Sequence, residues 1–327
     1  MTAGVSPPRR GIGFARMGTT MRTTRTLALA ALLLCLTLLA AAPAWAQRCD
    51  LRIRDLQPVQ TTSVYDPYGP APPRGFHTFA VELMDGNACD FIVGIDDGEN
   101  GSSNVRRMAD GGGRLNYELW VDGNLRQRLT DPVTGSAAGT FSGKLNGKKN
   151  DRVEFQFYST INGGQAVGAG SYRDRVTFRV YSIQGNGIGE VVDIRTVEVS
   201  THVAAAVQAN VVVGGISRQL DGSTSMLDFG QMQSGAARSF DLEVSGNSGY
   251  SVTVQSDNGG RFMDRTRSQG VPYTLSVNGA SVRLDRPVSL SYGGGYGRHQ
   301  MTVTLGDVSQ ALAGDYSDSL VVTVSAR

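Results

Sequence analysis

Hydrophobic and polar residues alternate with a period of two along most of this chain. Val153, Phe155 and Phe157 alternate with Arg152, Glu154 and Gln156, and Val176, Phe178 and Val180 with Arg175, Thr177 and Arg179. Met301, Val303 and Leu305 alternate with Thr302 and Thr304. A strand with one face on a core and one in water has this pattern. Turn signals lie between such segments: Asp122-Gly123, Asn146-Gly147, Asn278-Gly279 and Gly293-Gly294-Gly295. No long segment carries a helical period. Val203, Ala205, Val207, Ala209, Val211 and Val213 share one parity, which predicts a strand through an alanine-rich stretch. The pattern predicts an all-β fold.

Within that pattern three landmarks recur in order. Leu115-x-Tyr117-x-Leu119-x-Val121-Asp122-Gly123 matches Val271-x-Tyr273-x-Leu275-x-Val277-Asn278-Gly279. Arg106-x-Met108 matches Arg261-x-Met263, the Met read as core filler and the Arg as an exposed or hydrogen-bonding flank. Ala169-Gly170-Ser171-Tyr172-Arg173-Asp174 and its alternating strand match Ala313-Gly314-Asp315-Tyr316-Ser317-Asp318 and theirs. Collinear landmarks predict two copies of one β-domain, 47–200 and 201–327. Tyr172 and Tyr316 share the parity of the apolar residues that follow, so each ring is expected to point inward with its hydroxyl on a backbone partner.

Residues 1–46 read as a signal peptide. Met21-Arg22-Thr23-Thr24-Arg25 is basic, Leu27 to Ala42 is almost continuously apolar, and Ala44-Trp45-Ala46 supplies a cleavage site before Gln47. The run is short for a membrane span, though an uncleaved anchor is the alternative. Met1, Met17 and Met21 are the candidate starts. Removing residues 1–46 takes away five Arg and no acid, so 31 Lys+Arg become 26 against 29 Asp+Glu, and the formal charge moves from +2 to −3. Nucleic acid thereby loses its electrostatic warrant. Cys35 leaves with the signal, and Cys49 and Cys89 remain to form one disulfide in an exported protein.

Catalytic chemistry finds little material. Gly143-Lys144 and Gly147-Lys148 are not followed by Ser or Thr, so there is no phosphate-binding loop, and Gly185-x-Gly187-x-Gly189 misses dinucleotide spacing. His77, His202 and His299 stand in unrelated strand-like segments without a carboxylate or Cys at ligand spacing. The chain is expected to be no enzyme, with no metal and no cofactor.

The ordered set of Arg-x-Met, the Tyr-centred strand with its Asp-Gly or Asn-Gly turn, and Ala-Gly-x-Tyr-x-Asp before an alternating strand resembles the spore coat protein U domain family. That family builds subunits of archaic chaperone–usher pili of Gram-negative bacteria. The resemblance spans residues 48–327 twice over, and the second copy lacks the cysteine pair. It implies two tandem immunoglobulin-like β-sandwiches, a periplasmic chaperone, an outer-membrane usher, and polymerisation by donor-strand exchange. After the Tyr172–Val180 segment comes Val191 to Val199, long enough to be the last strand of the first copy. In the second copy the strand of Leu320, Val322 and Val324 is followed only by Ser325, Ala326 and Arg327, so that domain is expected to lack its last strand. Those three residues are the candidate donor-strand groove. Only Gln47 and Arg48 precede Cys49, so the chain is expected to accept a strand and not to donate one.

The expected role is therefore the two-domain tip subunit, an adhesin exported through the periplasm to the cell surface for attachment and biofilm formation. Its expected partners are chaperone, usher, the next pilus subunit and an external surface or host ligand. Ile183 and Ile188, on a Gly-rich loop from Ser182 to Glu190, and Lys148 and Lys149 are placed at the pole far from the second domain as candidate adhesive residues. Tyr65 and Tyr68, in a Pro-rich segment, are a further candidate. The rival readings are a secreted carbohydrate-binding sandwich protein and a self-associating coat or matrix protein.

Overall fold

The computed structural model describes residues 49–327 apart from 61–63, 73, 102–104, 133–136, 186 and 267; the signal peptide reading lies outside the described residues. The strands are β1 (Asp50–Arg54), β2 (Val59–Gln60), β3 (Gly75–Asp85), β4 (Ala88–Ile95), β5 (Arg106–Asp110), β6 (Gly113–Trp120), β7 (Phe141–Asn146), β8 (Arg152–Ile161), β9 (Gly170–Gln184) and β10 (Gly187–Val203). They continue with β11 (Val207–Val213), β12 (Ile216–Gln219), β13 (Ala237–Gly246), β14 (Tyr250–Ser256), β15 (Arg261–Asp264), β16 (Gly270–Val277), β17 (Ala280–Val282), β18 (Val288–Tyr292), β19 (Gly295–Leu305), β20 (Tyr316–Ser317) and β21 (Leu320–Ala326). A single 3-10 turn, Ala137–Gly139, is the helical content among the described residues. The fold is all-β.

The strands pair twice in the same way. In the first set the order is β1-β3-β8-β6-β5-β9-β10-β2, with β4 between β7 and β9. In the second it is β12-β11-β13-β19-β16-β15-β20, with β14 between β18 and β21. Ladder by ladder, β1–β3–β8–β6–β5 corresponds to β11–β13–β19–β16–β15, and β7–β4–β9 to β18–β14–β21. The crossing contact repeats too: Ala109 pairs with Arg173, and Met263 with Ser317.

Alternation sends one side of each strand into a core, and there are two such cores. The first is aromatic: Phe79 lies 5.2–6.1 Å, centroid to centroid, from Phe141, Phe155, Phe157 and Phe178. The second is mainly aliphatic, built on Leu242, Val244, Val252, Val254, Leu275 and Met301. Each buried side chain of this size contributes about 1.5–3 kcal/mol by leaving water.

Two sequence expectations shift here. The parity run from Val203 to Val213 is broken: β10 ends at Val203 and β11 begins at Val207. Asn247 makes the break, its Oδ1 accepting from Ala206 N at 2.7 Å and its Nδ2 donating to Ala204 O at 2.8 Å. The Arg-x-Met landmark is off by one residue. Arg106 pairs with Tyr117, whereas Arg261 pairs with Pro272, so the residue beside Tyr273 is Gly260, whose carbonyl accepts from Tyr273 N. A one-residue slip reverses the face. Arg106 is accordingly fully buried, held by the carbonyls of Ile95, Asp96 and Leu129, while Arg261 is exposed.

Candidate functional site

The groove is defined by what covers β9 and what leaves β21 bare. β9 pairs antiparallel with β10 from Gly170↔Val203 to Gln184↔Gly187, while β4 holds its other edge over Phe91–Ile95. β21 pairs with β14 from Leu320↔Ser256 to Ala326↔Tyr250, and among the described residues no strand pairs with its other edge. The side chains report the difference. Val176, Phe178 and Val180 are 0% exposed, whereas their counterparts Leu320, Val322 and Val324 are only partly buried. Across the groove Leu51 and Ile53 of β1 are buried, but Val207, Val211 and Val213 of β11 are half-open. The sequence reading did not anticipate β12, which folds back through Gly214 and Gly215 (φ 58° and 82°) and covers the edge of β11 over Asn210–Val213.

A hydrogen-bonded corner braces β9 and β21 alike. Tyr172 donates to Gly168 O and Tyr316 to Leu312 O, both at 3.0 Å. Two residues on, Asp174 accepts from Tyr117 Oη at 2.7 Å and from Asn100 N at 3.0 Å. Asp318 accepts from Tyr273 Oη at 2.5 Å and from Asn258 N at 3.1 Å. Burial pushes both the Tyr117 and Tyr273 phenols up, and the facing carboxylates add to it. Gly98, at φ 84°, lets the loop pass this carboxylate, since a Cβ there would sit 2.0 Å from Asp174 Oδ2. Sequence reading found the corner tyrosines but missed the Asp–Tyr–Asn sets, whose members lie far apart along the chain.

The candidate adhesive residues fall at two ends. Ala88 pairs with Asn146, Phe91 with Ser182 and Asp50 with Asp85, so the Asn146–Asn150 turn and the β9–β10 hairpin share one end of the first set. The Cys49–Cys89 disulfide is formed there, Cα atoms 6.2 Å apart. Ser182 to Glu190 is not the expected loop. Its glycines are tolerated in a continued hairpin, in which Ile183 and Ile188 are direct cross-strand partners. Ile188 is 46% exposed and Ile183 half-buried; Lys148 and Lys149 are exposed. Tyr65 corrects the other expectation. It is fully buried at the opposite end, bridged to Val203, its hydroxyl accepting from Gln165 N at 2.7 Å, so it offers nothing to a surface. Tyr68 is 37% exposed.

Two of the three histidines serve packing, and His202 is exposed. His77 Nε2 meets Ser159 Oγ at 2.9 Å, and His299 Nε2 meets Tyr250 Oη at 2.8 Å; burial draws both rings' pKa values down. Among the described residues no group of three or more His, Cys, Asp or Glu could hold a metal ion.

One stretch of the first strand set is similar to a described family. Residues 78–179 match the Spore Coat Protein U domain. The matched span starts in β3 and ends in β9, so it covers the first strand set up to the strand that β10 closes. No curated protein matches the chain. Among solved structures it is similar to the CsuC–CsuE chaperone–tip adhesion subunit pre-assembly complex from archaic chaperone–usher Csu pili of Acinetobacter baumannii. That match has 14% identity and a TM-score of 0.44, over 84% of this chain and 99% of that one. It is also similar to the CupB6 tip adhesin of Pseudomonas aeruginosa (8% identity, 84% and 94% of the two chains, TM-score 0.37). A third is CfaE, the adhesive subunit of CFA/I fimbria of enterotoxigenic Escherichia coli (9% identity, 84% and 99%, TM-score 0.33). The spore coat protein U match thus lies on the copy that carries the disulfide and the complete set of ladders.

Proposed function

We propose that this protein is a non-enzymatic adhesive tip subunit of a chaperone–usher pilus, built as a self-closed domain over 47–200 and a strand-accepting domain over 201–327. The observation that carries the reading is the contrast between β9, covered by β10, and β21, whose Leu320, Val322 and Val324 stay half-open. An uncovered apolar strand edge promotes aggregation unless a partner fills it. In this reading a periplasmic chaperone fills it first and, after passage through an outer-membrane usher, the strand of the next subunit replaces it. The spore coat protein U match supports the assignment. A tip position is favoured by the first copy, which carries its own closing strand and leaves no vacancy for another subunit. Export with loss of residues 1–46 puts the protein at the cell surface, where the Ile183–Ile188 hairpin and the Lys148–Lys149 turn make contact and support biofilm formation.

Co-expression of the full chain with the chaperone tests this. The native chain is expected to co-purify in a one-to-one complex, and Val322→Asp to abolish it by placing an unpaired charge on the groove wall. A chain that is soluble and monomeric alone, with Val322→Asp binding chaperone as well as the native sequence, overturns the reading.

A further inference from the structure

Phe76, Tyr158 and Trp120 stand at one register on three adjacent strands. Phe76 of β3 pairs with Tyr158 of β8, and Tyr158 pairs in turn with Trp120 of β6. Cross-strand partners project from the same face, and this is the outer one, since the neighbouring Phe157 and Leu119 are in the core. Phe76 is 54% exposed, and Tyr158 and Trp120 are half-buried. Phe76 and Tyr158 meet edge to face with centroids 5.6 Å apart. The Trp120 indole is anchored by its Nε1–H, which donates to Thr160 Oγ1 at 2.8 Å. The Asp122–Gly123 turn walls one side of Tyr158: a Cβ on Gly123 would lie 3.2 Å from the ring.

The rows on either side are polar. Thr78 pairs with Gln156 on one, and Glu118 with Thr160 on the other. No Leu, Ile, Val or Met interrupts the three rows. The Phe76–Tyr158 pair contributes to the sheet as a cross-strand contact, but that does not account for a third ring in the same row or for Phe76 standing more than half exposed on a solvent face. Aromatic surface bordered by hydroxyl and amide groups suits a ligand with apolar C–H faces and a rim of hydroxyls. Thr160 accepts from the indole and keeps a hydroxyl hydrogen to donate; Thr78 and Gln156 offer both donor and acceptor.

We propose that this flank of the first strand set is a glycan-binding face, on which a neutral pyranose chain stacks along Phe76, Tyr158 and Trp120. The occupant is a neutral sugar because the cations nearest the row are already engaged: Arg128 pairs with Glu118, and Arg74 donates to Gly123 O. The face lies on a side of the sandwich and shares no residue with the Ile183–Ile188 hairpin or with the β21 groove, so it stands or falls independently of the pilus assignment.

Affinity electrophoresis of the full chain, purified from the periplasm, in native gels containing hydroxyethyl cellulose, glycol chitin or mannan tests the proposal. At least one polysaccharide is expected to retard the native chain relative to a plain gel. Phe76→Ala and Trp120→Ala are each expected to weaken that retardation about tenfold, the scale of one lost aromatic stacking partner, while Trp120→Phe retains most of it and Ile188→Ser all of it. Equal migration of every variant in the plain gel verifies the fold. Native chain unretarded by all three polysaccharides overturns the proposal, as does retardation that survives both alanine substitutions.

Discussion

Phe178 pairs with Arg195 on one side and Ile95 on the other, while Val322, its counterpart in the second strand set, pairs with Val254 and has no partner strand on its outer side among the described residues. Much around the two residues repeats: the β4 and β14 ladders, the corner tyrosine and the Asp–Tyr–Asn bracing. The ladder that seals the core is present beside β9 and has no counterpart beside β21 among the described residues, and the difference shows in side-chain exposure. On the proposed reading, this open edge is where a donated strand would enter.

The disulfide ties the start of β1 to β4 across 40 residues. Cys49→Ser/Cys89→Ser is expected to lose about 4 kcal/mol on the loop-entropy model, read as a lower midpoint in guanidinium unfolding with little change in slope. An unchanged midpoint contradicts it.

Asn247 holds the Ala204–Ala206 stretch through two side-chain hydrogen bonds. Asn247→Ala is expected to destabilise by roughly 1–3 kcal/mol, since it strands a backbone donor and acceptor, and to speed limited proteolysis between Val203 and Val207. Cleavage kinetics equal to those of the native chain would argue against the clamp.

Tyr117 and Tyr273 carry a prediction about pH. An unfolded phenol titrates near about 10, and burial raises both of these in the fold. Their contribution to stability is therefore complete below about pH 10 and lost as pH rises toward the folded values. Urea unfolding from pH 8 to 11 is expected to show stability falling at the alkaline end, with a shallower fall in Tyr117→Phe/Tyr273→Phe. Identical alkaline slopes would sink it.

Ile183 and Ile188 face each other across the hairpin. The double serine substitution is expected to reduce attachment of bacteria to plastic or tissue several-fold at equal surface amount on immunoblot, with melting temperature little changed because both positions are partly or largely solvent-facing. Unchanged attachment moves the adhesive site elsewhere.

Much of this was legible from parity and repetition. Alternation along β8, β9 and β19 identified strands and their inner faces, because a half-buried strand must alternate. The Tyr117/Tyr273 and Tyr172/Tyr316 landmarks located the repeat, because each tyrosine's hydroxyl is tied to a fixed partner. What failed has physical causes. Arg106-x-Met108 matched Arg261-x-Met263 as letters, but a two-residue motif does not fix register, and the structure sets Gly260 where Arg106 lies. Tyr65 reads as exposed in a Pro-rich segment, yet its backbone bonds to His202 and Ala204 fold it inward. The aromatic row was invisible because Phe76, Trp120 and Tyr158 are brought together by pairing order, which no local pattern encodes.

Amide hydrogen exchange of β21 in the full chain is the most direct test of the open groove. The account predicts alternation: amides bonded to β14 exchange slowly and those facing outward exchange at nearly the unprotected rate, whereas β9 is slow on both edges over Phe178–Tyr181, where β10 and β4 both pair with it. Adding chaperone, or fusing an alternating apolar strand after Arg327 through a flexible linker, should protect the outward set. Slow exchange at every β21 amide in the uncomplexed chain would contradict the account.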